Sequence, residues 1–155
     1  MIRGRIEFRA ALRAELAAII SLLANDALGQ LREDTSEPVA AVYEDAFTAI
    51  EADPNQLLAV AVDKDSAVVG TLQLSFLPGI SRMGSWRGQI EAVRVADTHR
   101  SSGLGGQMFD WAIEQCKLRG CNLVQLTTDK NRPGAHRFYE KLGFEPTHTG
   151  YKLKL

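Results

Sequence analysis

The first third of the chain shows two kinds of hydrophobic spacing. Ile6 and Phe8 alternate with charged neighbours, as in a half-buried strand. Apolar residues then recur every three or four positions and predict a first helix marked by Leu12, Leu16, Ile19, Ile20 and Leu23. Beyond the polar stretch 25–38 the same spacing predicts a second helix, marked by Val39, Val42, Ala46, Phe47 and Ile50. The turn residues Asp53-Pro54-Asn55 end it.

Continuous apolar runs replace the helical spacing in the middle of the chain. Residues 57–62 and 67–77, joined by the turn Asp63-Lys64-Asp65, predict a β-hairpin of buried strands. The segment 78–88 contains three glycines and separates this hairpin from a further predicted strand at 89–95. Three consecutive strands are therefore expected before the next helix.

The last third alternates between helix and strand patterns. A helix is predicted at 104–118, with Gly120 as its stop and one apolar face formed by Leu104, Met108, Trp111, Ala112 and Cys116. A strand follows at 122–128, then a helix that begins near Pro133 and ends at Gly143. Tyr151, Leu153 and Leu155 alternate with lysines and predict a closing strand. The order βααβββαβαβ predicts an α/β fold with a mixed, mostly antiparallel central sheet flanked by helices.

The segment that joins the strand at 89–95 to the helix at 104–118 carries the clearest chemical signal. It includes the run Arg100-Ser101-Ser102-Gly103-Leu104-Gly105-Gly106. A glycine-rich turn that leads into a helix leaves N–H groups unpaired at the positive end of the helix dipole, and so favours a phosphate or pyrophosphate. A dinucleotide fingerprint would need a glycine at Met108, and a P-loop would need Lys-Ser/Thr at Gln107-Met108. The loop is neither of these.

A second motif lies downstream, at residues 131–144. It contains Ala135, Phe138 and Tyr139, followed by Gly143-Phe144, with Asn131 shortly before them. This segment and the Arg-x-x-Gly-x-Gly loop together resemble the GCN5-related N-acetyltransferase (GNAT) superfamily. The resemblance implies an acetyl-CoA-dependent N-acetyltransferase, which moves the acetyl group to a primary amine of a small molecule or peptide by direct attack.

The same resemblance implies a cofactor site in three parts. Main-chain groups of Val93 and Val95 would pair with the pantetheine arm, and the Val93 amide would also polarise the thioester carbonyl. The pyrophosphate would lie against Arg100 at the start of the loop and against the amides of Ser101, Gly103, Leu104, Gly105 and Gly106. Asn131, Ala135 and Phe138 would complete the cofactor side, although Asn131 could equally cap the last helix.

Two residues are candidates for the chemistry. Glu91 shares a face with Val93 if the strand is unbroken, and its carboxylate could accept a proton from the amine through one water. The alternative for Glu91 is a solvated charge or an ion pair with Arg87 or Arg94. Tyr139 resembles the superfamily tyrosine that protonates the CoA thiolate, and its alternative is a core aromatic beside Phe138.

Composition narrows the function classes. The chain has 155 residues, 45% of them hydrophobic, which suits one domain spanning 1–155. Its net charge of −1 argues against a nucleic-acid partner, and the absence of a signal peptide or long apolar run predicts a cytoplasmic protein without membrane contact. Cys116 and Cys121 are expected to be core residues, and no Cys/His spacing indicates a metal site.

The sequence indicates the identity of the acceptor molecule less clearly than the fold or the cofactor. Asp26, Glu33, Asp34 and Glu37 in the first long loop could attract an amine, whereas Arg82, Arg87 and Arg94 could attract a carboxylate or phosphate. A small zwitterion would satisfy both sets. A toxin that acetylates aminoacyl-tRNA and a non-catalytic acyl-CoA-binding regulatory domain stay open as alternatives. The resemblance also points to a homodimer.

Overall fold

A computed structural model describes residues 4–155. Apart from one additional helical turn between the third and fourth strands, its elements follow the predicted order as far as residue 141. The strands are β1 (Glu7–Ala10), β2 (Gln56–Val62), β3 (Val68–Pro78), β4 (Trp86–Val95) and β5 (Leu123–Leu126). The helices are α1 (Leu16–Ala24), α2 (Ala41–Ala52), the single turn α3 (Ser81–Gly84), α4 (Leu104–Leu118) and α5 (Pro133–Lys141). None of the helices in this part of the chain is long and apolar enough to cross a membrane.

The five strands form one sheet in the order β1-β2-β3-β4-β5. The pairs β1–β2, β2–β3 and β3–β4 are antiparallel, and the pair β4–β5 is parallel. This confirms the predicted mixed, mostly antiparallel sheet. The parallel step needs a crossover, which α4 supplies between β4 and β5.

The helices cover both faces of the sheet. On one face, Leu72 and Leu74 of β3 join Met108 and Phe109 of α4 in the main hydrophobic core. On the other face, α1 and α2 form a smaller cluster, in which Leu16, Ile20 and Phe47 pack against Leu58 of β2. The alternation of side chains along each strand therefore places two separate apolar layers around the sheet.

Both predicted glycine stops are confirmed, and each forms the same turn. Gly143 follows α5 with φ +92°, and the Phe144 amide donates to the Tyr139 carbonyl at 3.0 Å. Gly120 follows α4 with φ +77°, and the Cys121 amide donates to the Cys116 carbonyl at 2.9 Å. A left-handed residue is what lets the chain reverse and satisfy the last helical carbonyls.

The predicted closing strand is wrong. Residues 145–155 form neither helix nor strand, and the side chains of Tyr151, Leu153 and Leu155 are almost fully exposed. Alternating apolar residues stabilise a strand only when a neighbouring strand completes the hydrogen-bond ladder and a core covers one face. No described strand pairs with this segment, so the observed order ends with α5.

Alkaline pH should weaken this fold through Cys116, which lies in the core. Burial raises the pKa of its thiol to about 11, whereas an unfolded cysteine ionises near ~8.5. Because the folded state holds the proton more tightly, stability is unaffected below the unfolded pKa and falls as the pH rises toward 11. Urea midpoints between pH 7.5 and 10.5 should fall less steeply in Cys116→Ala than in wild type. Parallel slopes would contradict this assignment.

Candidate active site

The sheet opens between β4 and β5, directly before Glu91. Their parallel pairing ends at Ile90 opposite Leu126, although β4 continues to Val95. No described strand lies beside the outer edge of β4 from Glu91 to Val95. Glu91 is therefore the first residue beyond the point where the two strands part.

A β-bulge at Ala92 changes which side chains share a face. Gln73 of β3 pairs with Glu91 and Thr71 pairs with Arg94, so three steps along β4 match two along β3. Ala92 adopts a positive φ of +53° at this irregularity. The expectation that Glu91 and Val93 share a face is therefore wrong, because it assumed an unbroken strand. Val93 packs into the core beside α4, whereas Glu91 lies on the opposite face.

A hydrogen bond from Gln89, itself bonded to Gln125, holds the Glu91 carboxylate. Gln89 Nε2 donates to Glu91 Oε1 at 2.7 Å, and Gln125 Nε2 donates to Gln89 Oε1 at 2.9 Å. In the described residues, neither Arg87 nor Arg94 forms the ion pair with Glu91 that was the alternative to a catalytic role. Sequence reasoning missed Gln89 and Gln125, although each is a glutamine within a predicted strand, where a polar side chain commonly has a hydrogen-bond partner.

The glycine-rich loop presents open backbone donors. The amides of Ser101, Gly103, Gly105 and Gly106 form no hydrogen bond with another described residue. Gly103 is the N-cap of α4 with φ +87°, and no atom lies within 4 Å of the position that a Cβ would take there. The Leu104 amide has only a long contact, 3.4 Å, with Ser102 Oγ. The loop is a concave set of N–H groups at a helix start, which suits an anion.

Arg100 is held in place at the start of this loop. Its guanidinium pairs with Asp97 at 2.8 Å and contacts the Asn25 carbonyl at 3.4 Å. The side chain is more than half exposed, so it remains accessible to a ligand at the loop.

The second motif packs against the loop. A Cβ added to Gly105 would lie 3.6 Å from the Phe138 ring, so α5 reaches the first turn of α4. Tyr139 lies in an aromatic cluster with Phe109, Phe138 and Phe144, at ring separations of 5.6, 5.7 and 6.3 Å. Burial raises the pKa of its phenol, while the charges of Arg132 and Arg94 oppose that shift. Its hydroxyl forms no hydrogen bond with a described residue.

Asn131 does not cap α5. The N-cap of this helix is Arg132, and no side chain bonds to its first amides. Asn131 instead lines a cleft of about 380 Å³ between the loop after α1 and the segment before α5. Ala135 is half-buried on the first turn of α5.

The acidic residues proposed to bind the amine of the acceptor and the basic residues proposed to bind its anionic group are not separate in the structure. Asp26 pairs with Arg94 at 3.2 Å, so a predicted amine-binding carboxylate meets a predicted anion-binding arginine. Arg87 lies at the other end of β4, and Arg82 lies in α3 with φ +56°. Within residues 4–155, no three His, Cys, Asp or Glu side chains cluster closely enough to hold a metal ion.

Comparison with known proteins shows which family the chain belongs to. The Acetyltransferase (GNAT) family matches residues 21–144. The aminoalkylphosphonate N-acetyltransferase of Salmonella typhimurium is 31% identical over 106 residues, which are 68% of this chain and 68% of that protein. A solved transcriptional regulator from Bacillus halodurans C-125 is 44% identical with a TM-score of 0.94, covering 97% of this chain and 100% of its own. A solved Trypanosoma brucei acetyltransferase is 25% identical with a TM-score of 0.78, over 97% and 100% of the two chains. The chain belongs to the GNAT family of acetyltransferases.

Proposed function

We propose that this protein transfers the acetyl group of acetyl-CoA to the primary amine of a small molecule by direct attack. One observation carries the proposal: a carboxylate, Glu91, stands where β4 and β5 part, and a loop of unpaired amides follows the end of the same strand. A carboxylate for the proton and an anion cradle for the pyrophosphate are the two parts that such a reaction needs. The family membership supports the same reaction class.

The loop fits the pyrophosphate of acetyl-CoA. The four unpaired amides of Ser101, Gly103, Gly105 and Gly106 would donate to its oxygens, with the α4 dipole behind them. Leu104 contributes a fifth amide because its contact with Ser102 is long. Arg100 would add its positive charge at the edge of this cradle.

The free edge of β4 fits the pantetheine arm. We assign main-chain contacts to Val93 and Val95, because this stretch of β4 lies beyond its pairing with β5. The Val93 carbonyl already accepts a hydrogen bond from Arg94 Nη1 at 2.8 Å, so its amide is the better candidate for the ligand. Asn131, Ala135 and Phe138 would close the opposite side of this channel.

The chemistry then rests on two side chains. Acetyl-CoA supplies an activated acyl group whose C–S bond breaks as the amine nitrogen forms the new C–N bond. Glu91, fixed by Gln89, takes the proton that the ammonium must lose, through one water. Tyr139 donates its phenolic proton to the departing sulfur. The second proton of the nitrogen passes to solvent as the amide forms, and Tyr139 regains a proton from solvent. The Val93 amide stabilises the negative charge on the carbonyl oxygen.

The comparisons favour a small acceptor over the other classes. The Salmonella relative is named for its action on aminoalkylphosphonates, which supports a small-molecule amine here. None of the relatives named above supports the tRNA-acetylating toxin, and the name of the Bacillus halodurans structure keeps the non-catalytic regulatory domain as the second candidate. A cytoplasmic location and a homodimer remain predictions from the sequence.

Release of the CoA thiol tests the proposal. Acetyl-CoA would be incubated with amino acids, aminoalkyl acids, polyamines, aminoglycosides and N-terminal peptides in turn. We expect thiol release above background hydrolysis with at least one class of small amine. Binding of acetyl-CoA without release for any amine would overturn the proposal and favour the regulatory alternative.

A pair of glycine variants isolates the role of the loop. Gly103 and Gly120 stand at opposite ends of α4, both with positive φ and both with open space at the Cβ position. Gly103→Ala and Gly120→Ala should therefore lose similar stability, roughly 1 kcal/mol each. Only Gly103→Ala should raise the KM for acetyl-CoA, by about tenfold, because only that Cβ and its backbone strain lie in the cradle. Equal KM values in the two variants would remove the loop from cofactor binding.

A further inference from the structure

Arg94 is the least explained charged residue in the structure. Its side chain is only 17% exposed, and it reaches toward the loop after α1. Nη1 donates to the Val93 carbonyl at 2.8 Å and Nη2 pairs with Asp26 at 3.2 Å. The third nitrogen, Nε, is buried and has no hydrogen-bond partner among the described residues. Nη1 and Nη2 each have one named contact, and a guanidinium has five N–H groups, so Arg94 retains capacity for another acceptor.

The bulge at Ala92 places Arg94 beside Glu91. Without the bulge, residues three apart on a strand would point to opposite faces. With the bulge, Glu91 pairs with Gln73 and Arg94 pairs with Thr71. Because these two β3 residues are two positions apart, Glu91 and Arg94 lie on the same face of the sheet. The Cα atoms of Glu91 and Arg94 are therefore separated by about 7 Å along one face. A molecule of only a few bonds could contact both side chains.

Several arginines lie around the Asp26 carboxyl, which pairs with Arg94. A hydrogen bond from the Gly29 amide lowers the pKa of the Asp26 carboxyl, and three nearby arginines lower it further. These are Arg94, Arg132 and Arg32. Asp26 and Arg132 line the same cleft of about 380 Å³, together with Asn131 and Asp129. The Asp129 carboxylate accepts a hydrogen bond from the Asn131 backbone amide at 2.8 Å.

We propose that the acceptor is a short amine that also carries an acidic group, and that Arg94, assisted by Arg132, binds that group. This inference rests on the proposed acetyltransferase function and names its substrate class. Glu91 faces the amine of the acceptor. Arg94 binds its phosphonate, phosphate or carboxylate at the other end of the molecule, with the two Cα atoms about 7 Å apart. Asp26 orients the guanidinium of Arg94 from the side. The three oxyanions share one chemistry, and the experiment separates them.

Matched amines test the inference. Initial rates would be compared for 2-aminoethylphosphonate, O-phosphoethanolamine and β-alanine against the neutral propylamine, each with saturating acetyl-CoA. Wild type should acetylate at least one acidic amine with a kcat/KM at least tenfold above that of propylamine. Arg94→Gln should reduce kcat/KM for that acidic amine by about 10- to 100-fold, mainly through KM. Propylamine turnover and the KM for acetyl-CoA should change less than threefold.

Two further variants keep the result interpretable if Arg94→Gln folds poorly. Arg132 is exposed, so Arg132→Gln should fold normally and show a smaller loss in the same direction. Arg13→Gln removes a surface arginine paired with Glu44 and Glu51, and should leave every rate unchanged. Equal loss for acidic and neutral amines in the Arg94 and Arg132 variants would overturn the inference alone. No turnover of any amine by wild type would overturn the proposed function with it.

Discussion

Glu91→Gln should lower kcat/KM by about 100-fold or more at pH 7, the largest loss we expect from one substitution. A primary alkylamine has a pKa near ~10.4, so it reaches the site mostly as the ammonium and must lose a proton before attack. Glutamine keeps the size of the side chain but cannot accept that proton. Because Gln89 donates to Glu91 at 2.7 Å, the substitution also leaves the local polar contacts largely in place.

The pH profile separates this role from a structural one. As the pH approaches the pKa of the amine, more acceptor arrives deprotonated, so the deficit of Glu91→Gln should shrink. Steady-state rates from pH 6 to 10 would measure it. Glu114→Gln is a suitable control, since Glu114 lies on α4 and pairs with Lys117 at the surface. A deficit that is constant across this range, or no deficit, would remove Glu91 from proton transfer.

Tyr139→Phe should lower kcat by about 10- to 100-fold with little change in the KM for acetyl-CoA. The ring stays in its aromatic cluster with Phe109 and Phe144, so packing and cofactor binding persist while the proton donor is lost. Burial raises the pKa of the Tyr139 phenol above its usual value near ~10. Burial therefore favours the protonated hydroxyl, and any loss of wild-type activity from ionisation of this group lies at a more alkaline pH than for an exposed tyrosine.

A core role alone for Tyr139 would give a different result. Tyr139→Phe would then keep its kcat, and any effect would appear as a change in thermal stability. Tyr151→Phe serves as the matched control, because Tyr151 is almost fully exposed near the end of the chain and should tolerate the change in both assays. Stopped thiol-release assays with both variants under one set of conditions would decide between the two roles.

The sequence predicted the elements well because each depends on local periodicity. Met108 and Cys116 recur with helical spacing and both are buried on α4, as expected. Tyr151 and Leu153 also alternate like a strand, yet they form none, because pairing depends on a neighbour that local spacing does not reveal. Gly120 and Gly143 could be predicted as helix stops because a positive φ depends on the residue itself and not on a distant neighbour.

The site was harder to predict where distant residues meet. Ala92 adopts φ +53°, but alanine gives no signal of a positive φ, so the bulge that turns Arg94 onto the face of Glu91 was not predictable. Asp26 and Arg94 are far apart in sequence, so each was predicted as a separate binding residue for the acceptor. In the fold they form an ion pair at 3.2 Å. The glycine-rich loop was predictable because strand, turn and helix follow one another directly.

The central claim is that acetyl-CoA binds along the opening of β4 and over the loop 100–106. Titration of ¹⁵N-labelled protein with acetyl-CoA, followed by amide chemical shifts, tests it most directly. The account predicts the largest shifts at Ser101, Gly103, Gly105 and Gly106 and at Val93, with little change at Gly120 on the far end of α4. Saturation that shifts other amides and leaves those of the loop unmoved would contradict it.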